Sequence, residues 1–425
     1  MTAVEDRASD FASPLEMQLT AIGVNPLARA FAEKIMDDHW SSRRNETLDY
    51  LVRNPGEIRE VIIGSGYHAA VYAATRVKAG FPKPFVIEAS DRVGGTFAMT
   101  QNPTFFLNSR NRPGSIGIAG DRKGSLNNIP GATLQPANLS MSTYQTNADM
   151  AFAIRLALAE FAEVVPSTAV VSVDYSSDVD YYLINTAAGT FVANRIIDAR
   201  GIGAPNYDSV PASNILNFPD FMVRMAGRWP LRGVRRAAVV GGGDSANCVV
   251  ESLLGVGPQG SATTVAALDM VERIDWYAEN LPTTCEAWRQ QKRGRYLGIG
   301  QSLRPDRFGE RTTTVINERV TPVALPGTPM INGRSYDLVV MATGTKAVEI
   351  PGIEGSNFVF YRPQGTSAPI AREYGEVYRV GPHARIPFSD AEYQNGVADI
   401  GNNAVAMFRT GAKTATLAAT LPAVS

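Results

Sequence analysis

Residues 57–80 read EIREVIIGSGYHAAVYAATRVKAG, and this stretch decides the fold. A β-branched run, Val61-Ile62-Ile63, gives way to Gly64-Ser65-Gly66 and then to a segment rich in small residues, which reads as strand, tight turn and helix. Glycines at 64 and 66 allow the backbone and the N-terminus of the helix, with His68 and Ala69 in its first turn, to approach a diphosphate. A second strand, PFVIEAS, carries Glu88 at its end, close to the spacing of about 20 residues at which an acidic side chain meets ribose hydroxyls. A glycine string alone is weak, but strand, turn, helix and acid together make a dinucleotide-binding unit.

Outward from this unit the plan repeats. Residues 1–55 read as a helical preface, with LARAFAEKIMDDHW and ETLDYLVR at helical spacing and Pro55-Gly56 closing the segment. Between about 90 and 160 lies a polar, Asn- and Pro-rich region, too long for a simple loop and expected to line a site. The helical pattern ADMAFAIRLALAEFA precedes three strand patterns, AVVSVDY, YYLINT and TFVANRIIDAR, expected to form a meander that crosses back onto a sheet. After the basic stretch NFPDFMVRMAGRWPLRGVRR, strand, glycine turn and helix begin again as AAVVGGGDSANCVVESLLG, closing on the strand DLVVMATGT. Residues 346–425 are assigned back to the first unit.

The bulk numbers limit the function classes. At 425 residues and 45.7 kDa the chain exceeds one hydrophobic core, so two domains are expected. Forty Lys and Arg against 41 Asp and Glu give a formal charge of −1, which argues against nucleic acid or anionic lipid as a main partner. Cys248 and Cys285 form no CxxC pair, and His39, His68 and His383 are too scattered to suggest a metal site. No apolar stretch of about 18 residues and no signal-peptide pattern is visible, so a cytoplasmic, reducing location is expected.

The run VIEASDRVGG, with Glu88 followed by Gly94-Gly95, resembles the FAD-binding signature of the flavoprotein superfamily with two dinucleotide-binding domains. Gly241-Gly242-Gly243-Asp244-Ser245-Ala246 resembles its nicotinamide-nucleotide fingerprint, and Ala342-Thr343-Gly344 its second crossover. The first crossover departs from the pattern as Ala199-Arg200-Gly201. The resemblance implies an α/β fold of two Rossmann-like, glutathione reductase-type domains with a short N-terminal helical extension. It implies an FAD-binding domain at 56–216 plus 346–425 and an NAD(P)H-binding domain at 217–345. Within the superfamily the chain is more similar to flavin-containing and N-hydroxylating monooxygenases than to dithiol reductases, since no close cysteine pair is present. A Baeyer-Villiger fingerprint is incomplete, because FPDFMVRMAGRWP lacks its histidine.

The activity so implied is oxidation of a small organic substrate by molecular oxygen, with FAD reduced by NADH or NADPH. Two alternatives stay open: an oxidase or dehydrogenase that makes no use of nicotinamide, and a non-catalytic flavoprotein serving as electron-transfer or interaction partner. A symmetric dimer is an ordinary expectation for a chain of this size. The cofactor set comprises Gly64, Gly66, His68, Ala69, Glu88, Gly94, Gly95, Gly241, Gly243, Asp244, Ser245, Thr343, Gly344, Gly381, Asn402 and Asn403. Asn108 and Arg110, with Ser109 and Arg112, are candidates for the flavin face, where a fixed cation favours developing negative charge. His68 reads more simply as a packed ring than as a working one. Asp269, at the end of TTVAALD, which reads as the second strand of the nicotinamide unit, and Arg273 leave NADH and NADPH undecided. The aromatic and basic run Trp276, Tyr277, Trp288, Arg289, Lys292, Arg293, Arg295 and Tyr296 reads either as a lid or as a solvated helix.

Overall fold

The computed structural model describes residues 26–57, 60–102, 105–110, 129, 144–178, 181–227, 230–256, 271–291, 299–303, 312–346, 348–354, 359–361, 370–372, 376–381 and 414–422. The described part of the preface is one continuous helix, α1 (Pro26–Arg53), because neither glycine nor proline separates its two helical patterns.

The first unit proceeds through β1 (Glu60–Ile63), α2 (Tyr67–Lys78), β2 (Phe85–Ile87), α3 (Gly95–Met99), β3 (Phe106–Arg110), β4 (Tyr144–Thr146), α4 (Asn147–Phe161) and β5 (Glu163–Val165). A capping box between Thr146 and Asp149 starts α4. The antiparallel meander β6 (Val170–Ser176), β7 (Tyr181–Thr186) and β8 (Gly189–Ala193) then leads to β9 (Arg195–Asp198), which lies parallel beside β1.

From there β10 (Ala204–Pro205) opens the second unit, followed by β11 (Ile215–Asn217), α5 (Phe218–Met225), β12 (Arg236–Val240), α6 (Asp244–Leu254) and β13 (Arg273–Tyr277). Next come α7 (Cys285–Gln291), α8 (Ile299–Ser302), β14 (Thr312–Ile316), the hairpin β15 (Met330–Ile331) and β16 (Arg334–Ser335), and β17 (Leu338–Met341). The five strands of this sheet run in the order β11-β17-β12-β13-β14, all parallel.

The chain leaves through β18 (Thr345–Lys346), which pairs antiparallel with β10, so the two passages between the sheets run side by side. It then adds β19 (Val359–Tyr361), β20 (Ile370–Arg372) and β21 (Val377–Arg379) to the first sheet, in the order β19-β20-β21-β9-β1-β2-β5. Strands β9 and β17 are buried at every position, as strands with both faces covered must be. The expected α/β class is therefore observed, with Ala69, Ala70, Ala73 and Ala74 fully buried so that α2 lies close to its surroundings.

At the base of the first sheet Arg76 and Arg195 converge on Glu60, and Arg195 also binds Glu376 at 2.8 Å. The same guanidinium groups donate to the carbonyls of Ala419 (3.0 Å) and Pro422 (2.7 Å), tying the C-terminal segment to this base. Among the described residues no helix is long and apolar enough to cross a membrane, and no group of three or more His, Cys, Asp or Glu is placed to hold a metal ion.

Candidate functional site

The first glycine turn is shaped by backbone crowding. Gly64 takes φ +96° and donates its N–H to the Ile87 carbonyl at 2.8 Å, while a Cβ there would stand 2.9 Å from the Ala199 carbonyl oxygen. Only glycine fits where β1, β2 and β9 end together. Gly66 caps α2 in extended conformation. Gly95, at φ +60°, lies so close that a Cβ would be 2.7 Å from the Gly66 Cα. The paired glycines, far apart in sequence from the turn, thus meet it backbone to backbone at the N-terminus of α2, where N–H groups and the helix dipole favour an anion.

Glu88 is fixed beside this turn. Its Oε2 accepts from the Ser65 N–H (2.9 Å) and hydroxyl (2.6 Å), and its Oε1 from the Ser90 N–H (2.8 Å). The Ser65 hydroxyl in turn accepts from the Gly94 N–H at 2.9 Å. Ser65, fully buried, therefore joins the turn, the acid and the paired glycines, a role the sequence reading missed. A carboxylate offers about four lone-pair sites, so three donors leave one on Oε1 for a ribose hydroxyl. His68 is buried, and a Cβ on Gly381 (φ +91°) would approach its Nδ1 to 2.9 Å. The two candidates thus lie beside each other.

Arg155 is the second residue missed. Only 2% exposed, it donates to the Val93 carbonyl (2.9 Å), directly before Gly94, and to the Glu33 carbonyl (3.1 Å) and Asp37 Oδ1 (2.6 Å) of α1. One guanidinium thus connects the N-terminal helix to the paired-glycine loop. Asn102 does similar work between the sheets: buried, it donates from Nδ2 to the Met222 carbonyl of α5 at 2.9 Å and accepts from the Phe105 N–H.

The second turn repeats the construction. Gly241 (φ +128°) donates its N–H to the Tyr277 carbonyl at 2.9 Å, and a Cβ there would lie 2.2 Å from the Ala342 carbonyl oxygen. Its own carbonyl accepts from the Trp276 indole at 2.7 Å. Gly243 caps α6, with Asp244 and Ser245 in the first turn. The carbonyls of Thr343 and Gly344 accept from Asn206, the former from its side chain at 2.9 Å and the latter from its N–H at 3.0 Å.

At the first crossover Arg200 grips Asp198 with two hydrogen bonds of 2.8 and 2.9 Å and also reaches the Val348 carbonyl. Burial works against its charge, but the Asp198 carboxylate outweighs it and holds the guanidinium pKa above the ordinary value. Its side chain is thus committed to an ion pair rather than standing in for threonine.

Three readings of the second unit are corrected. Trp276 and Tyr277 belong to the central strand β13 and Trp288 to α7, all buried, so they form core and not a lid. The partner strand of β12 is β13, RIDWY, rather than TTVAALD, and Asp269 lies outside the described residues. Arg273 begins β13, at the opposite end from the glycine turn, and binds Asp275 at 2.9 Å. That buried carboxylate also draws Arg236 and Arg334, and it accepts from the Tyr336 hydroxyl at 2.8 Å.

Asn108, Ser109 and Arg110 lie on β3, Arg110 opposite Tyr144. Arg112, Lys292, Arg293, Arg295, Tyr296, Asn402 and Asn403 lie outside the described residues. Cys248 and Cys285 are both buried, on α6 and at the start of α7, and are not joined.

No protein-family model and no curated protein sequence matches the chain. Among solved structures it is similar to the FAD-bound cadaverine monooxygenase of the desferrioxamine biosynthetic pathway from Erwinia amylovora. That match has a TM-score of 0.55 and 13% identity, over 86% of this chain and 95% of that one. An ornithine N-hydroxylase from Kutzneria sp. 744, with reduced FAD, NADP+ and L-ornithine, gives 0.52 and 14% over 85% of this chain and 98% of that one. The bacillithiol disulfide reductase of Staphylococcus aureus gives 0.50 and 12% over 85% and 97%. Identities this low speak to architecture alone, and the architecture they show is the α/β fold of two sheet-based units.

Proposed function

We propose that the chain is an FAD-dependent oxidoreductase that uses NAD(P)H and molecular oxygen to oxidise a small organic substrate. The observation that carries this reading is the duplicated turn. Gly64 abuts Ala199 as Gly241 abuts Ala342, each where three parallel strands end and at the head of a helix, and the first turn alone adds the Gly94-Gly95 pair and Glu88. FAD would lie in the first unit and the nicotinamide nucleotide in the second.

Gly66, Gly95 and the first turn of α2, with His68 and Ala69, would hold the FAD diphosphate by backbone contact. Glu88, already bound by three donors, would accept from a ribose hydroxyl without reorienting. Gly241, Gly243, Asp244 and Ser245 would take the nicotinamide nucleotide, with Thr343 and Gly344 lining the passage between the units. Asn108 and Arg110 would face the isoalloxazine, and Gly381, Asn402 and Asn403 its far edge. When bound, FAD supplies two-electron transfer and the activation of oxygen, and the protein supplies binding, orientation and exclusion of water.

Disulfide reduction fits this chain less well. Its only two cysteines lie in the second unit, buried on separate helices, and the first glycine turn has none beside it in sequence.

The test is anaerobic mixing of the flavin-loaded protein with NADH and with NADPH, then with oxygenated buffer and a panel of amines and ketones. Fast flavin reduction with substrate-coupled oxygen uptake supports the proposal. Reduction with release of hydrogen peroxide alone points to an oxidase, and no reduction by either nucleotide removes the nicotinamide part.

A further inference from the structure

The two glycine turns match up to one position, where they part. In the first unit the strand beside the turn ends at Ile87, whose carbonyl receives the Gly64 N–H, and the next residue is Glu88. In the second unit the matching strand ends at Tyr277, whose carbonyl receives the Gly241 N–H, and the next residue is Ala278. Ala278 is buried, its Cβ 3.5 Å from where a Cβ on Gly242 would stand, and it can bond no hydroxyl. Glu279 follows. It is exposed, and its carbonyl oxygen lies 3.9 Å from that same point, so Glu279 is the first polar side chain past the strand beside the glycine turn.

The chain around Glu279 is pinned on both sides. Before it stands the Gly241–Tyr277 hydrogen bond. After it, Asn280 takes the left-handed φ of +61°, and Leu281 is clasped by Asn317 through hydrogen bonds of 3.0 and 3.2 Å. The described residues leaving β13 on this edge, Ala278-Glu279-Asn280-Leu281-Pro282, include no cation. Arg319 leaves β14, one strand farther from the glycine turn.

We infer that the second site selects NADH over NADPH, and that Glu279 is the specificity-determining residue. The inference rests on reading this unit as the nicotinamide-nucleotide site. A carboxylate at the end of the second strand accepts hydrogen bonds from the free 2′- and 3′-hydroxyls of an adenosine ribose, whereas it repels a 2′-phosphate, which calls for an arginine. The chain meets that position with a negative charge. Because the group is exposed, its repulsion is screened by salt, so the preference narrows as ionic strength rises.

The experiment is calorimetric titration of the full-length, FAD-loaded protein with the redox-inert NAD+ and NADP+, at low and at high salt. NAD+ binds the wild type at least about tenfold more tightly at low salt. Glu279→Gln improves NADP+ binding and removes much of the salt dependence of the ratio, and Glu279→Arg reverses the preference. Retention of visible flavin absorbance confirms that the variants are folded. NADP+ binding the wild type as tightly as NAD+, or an unchanged ratio in Glu279→Arg, overturns the inference and leaves the nicotinamide site standing. Binding of neither dinucleotide overturns the nicotinamide reading and this inference with it.

Discussion

Replacing Arg155 by methionine tests whether the N-terminal helix is part of the flavin site. The guanidinium is 2% exposed and makes three bonds, to the Val93 carbonyl, the Glu33 carbonyl and Asp37, while lying 5.2 Å from the centre of the Trp40 ring. Methionine fills similar space but leaves the carbonyl of fully buried Val93 without this donor, a loss of about 1–3 kcal/mol. The contact with Trp40 adds about 0.5–2 kcal/mol. Arg155 Nε finds no acceptor among the described residues, so removing it returns part of that sum, and the net loss should be about 2–4 kcal/mol. Asp37 is 46% exposed and rehydrates when its partner leaves, so Asp37→Asn should cost no more than about 1 kcal/mol. Since Val93 leads directly into Gly94-Gly95, the methionine variant should also bind FAD about 10–100-fold more weakly, at tenfold per 1.4 kcal/mol. Urea unfolding of the apoprotein and FAD titration by fluorescence measure the two effects separately. Equal losses in Asp37→Asn and Arg155→Met, or an unchanged FAD affinity in the methionine variant, would refute the reasoning.

Gly241→Ala would place a Cβ 2.2 Å from the Ala342 carbonyl oxygen at a φ that L-residues rarely adopt, so flavin reduction by the nicotinamide nucleotide should slow at least about tenfold with FAD still bound. Stopped-flow reduction checks this, and a wild-type rate would count against the second turn as a nucleotide site. Glu88→Gln keeps one acceptor oxygen where three donors now converge, so one N–H or hydroxyl loses its partner; thermal denaturation should show a loss of about 1–3 kcal/mol, accompanied by weaker FAD retention. Tyr336 is held protonated above its ordinary pKa of 10.0, first by burial and then by its hydrogen bonds to Tyr277 and Asp275. The unfolded phenol ionises above pH 10 while the folded one resists, so this stabilisation is complete below pH 10 and is lost as the pH climbs beyond it. The urea midpoint of Tyr336→Phe should therefore fall less steeply above pH 10 than that of the wild type, with the remaining slope owed in part to Tyr72, raised likewise.

What could be read from the sequence was whatever a local rule demands. A strand that must turn sharply into a helix beneath the carbonyl that ends a neighbouring strand leaves glycine at Gly64 and Gly241, and small residues along α2 record how closely it is packed. Ser65 stayed hidden because serine in a turn ordinarily signals only a turn. Arg155 stayed hidden because its acceptors at Val93 and on α1 are remote in sequence. The strand RIDWY does not read as one in the sequence, where its aromatic residues suggest a lid or a solvated helix, because a charge inside an inner strand contradicts the apolar pattern of such strands. Asp275 is tolerated there only since Arg236, Arg273, Arg334 and Tyr336 surround it, and those partners are known only once the sheet is assembled.

The second unit shows most clearly why register is a better guide than spacing along the chain. Counting from Gly64 reaches Glu88 because α2 and a short return deliver the chain directly to β2. In the second unit Asp269 ends TTVAALD, a run that reads as the next strand, but a longer passage separates α6 from its partner strand, and that partner is β13, which begins only at Arg273. The quantity shared by the two units is the register, Ile63 opposite Ile87 and Val240 opposite Tyr277, with each glycine N–H closing onto the last carbonyl of the neighbouring strand. A bound ribose would meet the residues that follow that hydrogen bond, however many residues the chain spends on reaching it. By that criterion Arg273, at the far end of β13, is not placed to meet the ribose, and on the inference drawn above the choice between NADH and NADPH would fall to Glu279 as the ribose contact in the first unit would fall to Glu88.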